Sequence, residues 1–420
     1  MFKRFLFVSL ALVSAASAAA QNQSAKPGAG DKASADALIE ELPAPGSVVN
    51  ERTTPAAGLT EWRLSNGVRV LIKPTDFNAD EVLFTAYSPG GSSLVADADY
   101  MSAALAASIL ELGGLGRFNR SDLDKKLAGK TARVVANIGS TVEELNGGAP
   151  PRDLETMFQL IHLNFTAPRL DTNAFRTFRS RAIPSLANRG ARTEDVLNDS
   201  VTLVMAQHHV RARPLTVAVF NEVDPARAFE IYKDRFADAG DFTFVFVGNI
   251  DAGVLKPLAE RYLANLPATG RKENWKDVEP VAPKGVVEKT VRAGSAPRAM
   301  TQIFFHGPIQ YTPQNRFAMR AMIDLLQIRL NEALREQLGG SNSVTVQGGP
   351  SRVPRPEYLI RIQYGSAPDN VDKLAQSVLS VIDSLKTNGP TVAEVDRVRQ
   401  QLARARQVDL KTNAYWVLNI

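Results

Sequence analysis

The chain has 420 residues, 44% of them hydrophobic and 22% charged, with a formal net charge of +5. These are ordinary globular values, enough for two domains with their own cores, and they exclude a disordered or fibrous chain. The absence of cysteine excludes disulfides, thiolate metal sites and a cysteine nucleophile, and Lys and Arg interleaved with Asp and Glu, without a basic stripe carrying aromatics, argue against nucleic-acid binding.

The opening MFKRFLFVSLALVSAASAAAQ joins a basic start (Lys3, Arg4) to an apolar run and small residues at Ala18 and Ala20. It predicts a secretory signal peptide over residues 1–20. The run is shorter than the roughly 20 residues that cross a bilayer, and no later segment is long and apolar enough, so the mature chain is expected to lack an integral membrane segment. Residues 21–56, rich in Ala, Gly, Ser and Pro, are expected to be a flexible tether. A first α+β domain is expected over 57–265. It opens with LTEWRLSNGVRVLIKP, two alternating runs around Asn66-Gly67, which is a hairpin signature. EVLFTAYS is a third strand. It leads through PGGSS, a turn of the kind that more often links strand to helix than cradles an anion, into the helix of YMSAALAASILELGGLG. A helix capped by Ser121 follows, then strands around ARVVANIG, and then two helices broken at Pro168 with Asp171 capping the second. TEDVLNDSVTLVMAQHH and DPARAFEIYKDRFA are further helices before the apolar strand DFTFVFVGN. The VRARP run at Val210 to Pro214 reads as a helix end where cations meet free carbonyls.

A polar, proline-bearing stretch over 266–285 reads as a linker. Beyond it, over 286–420, the order repeats. MTQIFFHG answers EVLFTAYS, the long helix from Gln314 answers the opening helix, a hairpin around EYLIRIQYG answers the middle strands, and two helices broken at Gly389-Pro390 with Thr391 capping answer the pair at Pro168. The fold class is therefore α+β, two related domains, each an antiparallel-rich sheet covered by helices. The second repeat is shorter by roughly 60 residues and reads as incomplete, so Tyr415, Trp416 and Val417 are expected to lack a covering segment.

Chemistry is sparse. A hydrolytic zinc site on a helix needs two imidazoles four residues apart on one face. The four histidines, at 162, 208, 209 and 306, supply no such pair. His162 sits in an apolar helix and reads as a core residue, and His208 and His209 would point about 100° apart on a helix. Neither a G-x-S-x-G elbow nor a phosphate cradle is present. The remaining candidate is LREQLGGSNSVTV, which places Arg335 where a long helix meets a sheet edge; a cation at a helix C-terminus is also favourable for its dipole alone.

On LSNGVRVLIKPTDFNADEVLFTAYSPGGSS, GDFTFVFVGN, YLANLPATGRKE and LNEALREQLGGSNSVTV, in that order, the chain from about Leu59 onward resembles the pitrilysin/insulinase-type zinc metallopeptidases (inverzincins). It is most similar to the second half of the large bacterial periplasmic members. The resemblance implies half of a peptidase clamshell and a periplasmic location. In the family's catalytic half the helix after the third strand carries H-x-x-E-H; here that helix reads AALAASILELGG, and Ala, Leu, Ser or Ile fills the ligand positions. The resemblance thus implies a non-catalytic half with no metal or cofactor of its own, inactive alone, that lends chamber wall and peptide contacts to a zinc-bearing partner or homologous subunit. It assigns substrate binding to Arg335, which matches the family's arginine, and to Asn342, which stands at the family's tyrosine. A structural pseudopeptidase, or a peptide-binding clamshell without a hydrolytic partner, is the alternative.

Overall fold

The computed structural model describes residues 37–294, 296–335 and 344–420; the signal peptide expected over residues 1–20 lies outside them. The first domain is built on a seven-stranded sheet of β1 (Val48–Thr54), β2 (Leu59–Leu64), β3 (Arg69–Pro74), β4 (Val82–Pro89), β5 (Arg133–Ile138), β6 (Val142–Ala149) and β7 (Thr243–Gly248), in the order β1-β2-β3-β7-β4-β6-β5. All pairs are antiparallel except β3 with β7. Its helices are α1 (Tyr100–Gly113), α2 (Arg120–Lys126), α3 (Leu154–Thr166), α4 (Thr172–Ala187), α5 (Thr193–Met205), α6 (Val217–Phe220), α7 (Pro225–Arg235) and α8 (Ala252–Leu258). The period-2 alternation of β4 turns Val82, Phe84, Ala86 and Ser88 inward. There Phe158 of α3 stacks on Phe246 of β7 at 5.3 Å, and Phe246 on Phe84 at 5.7 Å, so one aromatic column joins helix layer to sheet.

Local signals account for most boundaries. Gly67 takes φ 91° in the β2–β3 turn, and Asp171 caps α4 by accepting the Asn173 and Ala174 N–H groups. Two expectations need correction. The cap of α2 is Asn119, whose side chain accepts the Asp122 N–H, so the helix begins one residue before Ser121. The tether expected to residue 56 is built into the domain over its described part: the Leu38 side chain joins the core while its N–H donates to Gln159, and β1 pairs along β2. A composition poor in large apolar residues does not prevent an edge strand, whose stabilisation comes from main-chain bonds.

The second domain holds β8 (Ala299–Pro308), α9 (Pro313–Leu334), β9 (Thr345–Ser351), β10 (Glu357–Ser366), α10 (Val371–Asn388), α11 (Val392–Asp409) and α12 (Asn413–Asn419), with strand order β8-β10-β9. Thr391 and Glu394 form a reciprocal capping box at α11. The polar stretch between the domains carries no helix or strand, yet it is fastened to the first domain: Asp238 accepts from Thr269 Oγ1 and the Arg271 N–H, and Glu273 pairs with Arg235 at 2.9 Å.

The two domains exchange helices. α12 crosses to the first domain and covers the sheet face opposite the helices, where Trp416, Val417 and Ile420 pack with Leu71, Val245 and Val247. Asn413, 1% exposed, donates to Glu81 and accepts from Thr75 Oγ1 at 2.5 Å. Its counterpart in the repeat, α5, reaches the second domain, where Asn198 meets Gln302 of β8 and Glu194 pairs with Arg298. The expectation that Tyr415, Trp416 and Val417 lack cover is therefore overturned for Trp416 and Val417, whose cover is the other domain's sheet, reached over more than 300 residues of chain; Tyr415 lies against Arg406 and Trp416.

Candidate functional site

The helix that carries ligands in catalytic relatives by resemblance is α1. Its buried face is Ser102, Ala103, Ala106, Ile109, Leu110 and Gly113, small where α7 lies against it. Its exposed stripe is Ala104, Ser108 and Glu111, with Ala107 beside them. Positions 104 and 108 are the i, i+4 pair on the open side, and they hold a methyl and a hydroxymethyl group. Glu111 is spent on an exposed ion pair with Arg120 at 3.2 Å. The helix stops at a close approach: a Cβ on Gly113 would lie 2.2 Å from the Arg169 carbonyl oxygen, so only glycine fits.

The histidines stay apart. His162 is buried, its Nδ1 lying 3.0 Å from the Tyr262 carbonyl, and burial holds its pKa below the ordinary imidazole value; it is a neutral core donor. α5 ends at Met205, and Gln207 and His208 adopt φ of 49° and 58°, so the adjacent histidines sit on a turn and not on a helix. Among the described residues no group of three or more His, Asp or Glu is arranged to hold a metal ion. In the VRARP run, Arg211 does bond carbonyls, but those of Ser92 and Val95 in the loop before α1, and it pairs with Asp97 at 2.6 Å. It braces that loop and does not cap α5.

Arg335 occupies the C-terminal turn of α9 and is exposed. Two residues that sequence reasoning passed over explain its place. Gln327 accepts the Val346 N–H and donates to the Val344 carbonyl, and Asn331 accepts the Val344 N–H at 3.0 Å. Residues 327, 331 and 335 recur every fourth position and so share one face of the helix. That face is pinned to the start of β9, the outer strand of the second sheet. Arg335 continues the row at the sheet edge. The signal was present as the polar i, i+4 row Gln327, Asn331 and Arg335 running beside the buried Leu326, Leu330 and Leu334. Asn342 lies outside the described residues.

The carboxyl pushed furthest upward is elsewhere. Glu143 is wholly buried on β6, and burial pushes it up to about 7 against the opposing pull of the Gly91 N–H, which donates to it at 2.5 Å, and of the Arg235 charge. It anchors the loop between β4 and α1 and faces no open cleft.

The comparisons decide what this arrangement belongs to. A family model described as the Peptidase M16 inactive domain matches residues 223–402. The "Zinc protease PQQL-like" of Arabidopsis thaliana is 26% identical over 396 residues, covering 90% of this chain and 39% of that protein. The crystal structure of the periplasmic protease PqqL from Escherichia coli superposes with a TM-score of 0.78 at 19% identity, over 94% of this chain and 43% of that one. The first half of PqqL alone gives a TM-score of 0.63 at 16% identity, over 89% of this chain and 80% of that chain, so the better fit comes from beyond the first half. Residues 223–402 thus match an M16 domain, and the chain shares the fold of M16 peptidase halves over most of its length. The chain spans about two-fifths of the length of the Arabidopsis relative. By element order, α1 with its exposed stripe and α9 with Arg335 stand at corresponding points of the two repeated domains.

Proposed function

We propose that this chain is the non-catalytic half of a zinc metallopeptidase of the periplasm, lending chamber wall and peptide contacts to a zinc-bearing half. The observation that carries the reading is the α1 stripe: in a fold shared with zinc proteases, the open side of the helix presents Ala104, Ser108 and an ion-paired Glu111. Such a face lines a cavity without polarising water. The periplasmic assignment is supported by the likeness to PqqL of Escherichia coli, a periplasmic protease, and no helix among the described residues is long and apolar enough to cross a membrane.

Arg335 is the residue through which such a half acts on substrate. A guanidinium held at a sheet edge offers paired N–H donors to a peptide carbonyl or to the oxyanion that develops on it. Asn342 contributes a side-chain amide donor. The test uses the isolated chain, a zinc-bearing M16 half, and both together on an unstructured peptide. Hydrolysis that requires the mixture and falls about 10²-fold with Arg335→Ala, at unchanged folding, supports the composite site. Equal activity of the zinc-bearing half alone, or no effect of Arg335→Ala in an assembled pair, replaces it with a structural role.

A further inference from the structure

A buried polar cluster lies where the loop between β4 and α1, the end of α7 and the linker meet. Six of the eleven buried side-chain atoms that lack a hydrogen-bond partner among the described residues belong to four residues here: Ser88 Oγ, Glu143 Oε1, both Asp241 carboxylate oxygens, and Arg271 Nε and Nη2. Folded proteins rarely leave such groups idle. Ser88 stands opposite Glu143 in the β4–β6 ladder, and Asp241 lies beside Ser88 and faces Arg271. Arg235, at the end of α7, is the pivot. Its side chain is 5% exposed, and its Nη1 donates to Glu273 Oε2 at 2.9 Å, which ties the helix to the linker. Its Nε and Nη2 donate to Asp234. On its other side is Glu143. A Cβ on Gly90, whose φ is 152°, would lie 3.1 Å from Arg235 Nη1 and 3.1 and 3.2 Å from the two Glu143 oxygens, so a glycine lets guanidinium and carboxyl share this space. Glu273 has a second cation at hand, since Arg271 Nε lies 3.2 Å from its Oε2.

These four charges have two complete pairings. In the structure Arg235 holds Glu273, and Glu143 has the Gly91 N–H as its hydrogen-bond donor. In the other, Arg235 turns to Glu143, and Glu273 falls to Arg271 of its own segment. We propose that Arg235 is a proton-controlled clasp: it fastens residues 271–276 to the first domain while Glu143 is protonated, and releases them once Glu143 ionises. An ionised carboxylate buried with one bare oxygen is unstable, and the adjacent guanidinium relieves it through a charge-assisted hydrogen bond. Burial sets the working range, because it raises Glu143 to about 7 against the pull of the Gly91 N–H and of Arg235. The acid is therefore neutral below that pH and charged above it. Around it, β4 supplies the Ser88 hydroxyl, α7 supplies Arg235 and Asp234, the turn before β7 supplies Asp238 and Asp241, and the linker supplies Arg271 and Glu273. Asp241 faces Arg271, which leaves Arg235 as the cation that answers Glu143. The clasp is independent of the peptidase reading, since none of its residues lies on the α1 stripe or near Arg335.

The test follows amide hydrogen exchange of the full chain from about pH 5.5 to about pH 8.5, each rate divided by its intrinsic rate at that pH. The reporters are the Arg271 and Lys276 N–H groups, which donate to Asp238 and to Ser93 Oγ. Their protection is expected to fall about tenfold across the range and to be insensitive to low urea, as a local opening is. Glu143→Gln cannot ionise and is expected to keep the low-pH protection throughout. Glu273→Gln removes the linker's hold on Arg235 without touching the core, and is expected to give low protection at every pH. Constant protection in the parent, the same fall in Glu143→Gln, or the parent's fall retained in Glu273→Gln overturns the proposal. So does a fall that follows urea as global unfolding does.

Discussion

Glu143 keeps one carboxylate oxygen on the Gly91 N–H and leaves the other buried without a partner. Burial raises its folded-state pKa from 4.5 to about 7, so folding favours the neutral acid. Its contribution to stability is therefore complete below about pH 4.5 and is lost as pH rises through about 7, a swing on the order of 3 kcal/mol. Asp241, also raised by burial, acts in the same sense. Glu394 works the other way: the Arg329 hydrogen bond lowers it to about 2, so that contribution is present above about pH 4.5 and lost as pH falls through 2. Glu143→Gln retains an acceptor for Gly91 and cannot ionise. It is expected to match the parent near pH 5 and to melt several degrees higher at pH 8, which thermal denaturation at the two pH values will show.

The α12 segment is anchored through Asn413, which bonds Glu81 and Thr75, and through an apolar face led by Trp416. Asn413→Ala leaves Glu81 and Thr75 without their buried partner and is expected to cost about 2 kcal/mol. Trp416→Ala removes the ring that lies on Leu71 and Val245 under Lys73, and is expected to cost about 2 kcal/mol by lost burial. Urea unfolding of both variants measures these values. At this scale the sequence was legible where a boundary has its own chemistry: Asn66-Gly67, Asp171 and the Thr391 capping box all stand where the residues placed them. It was illegible where a long-range partner decides. Nothing in KTNAYWVLNI names the sheet face it covers, and nothing before Val48 announces a strand, because edge pairing is specified by β2 and not by the strand's own composition. The candidate site divides the same way. The loss of ligands from α1 is readable as residue types, whereas the fixed position of Arg335 depends on Gln327 and Asn331 bonding the start of β9.

Across the whole molecule, α5 and α12 each leave the domain that precedes them and pack on the other. Such an exchange couples the two cores, so the full chain is expected to unfold in a single transition by calorimetry. Removal of Thr412–Ile420 bares the Leu71, Val245 and Val247 face and is expected to split that transition, with a separate melt below the parent's. A shortened chain that still melts in one step at the parent's temperature would show the exchange to be incidental. The repeat itself was readable, because helix breaks at Pro168 and Gly389-Pro390 recur at equivalent points; the crossing of the helices that follow those breaks was not. The crossing also bears on how such chains can be inherited. A gene piece encoding either domain alone would specify a sheet with one naked face, whereas a piece encoding the pair carries its own cover. The smallest portable module of this architecture is thus the interlocked pair, and a viable cut in a longer ancestor passes between pairs, never between the two domains of one.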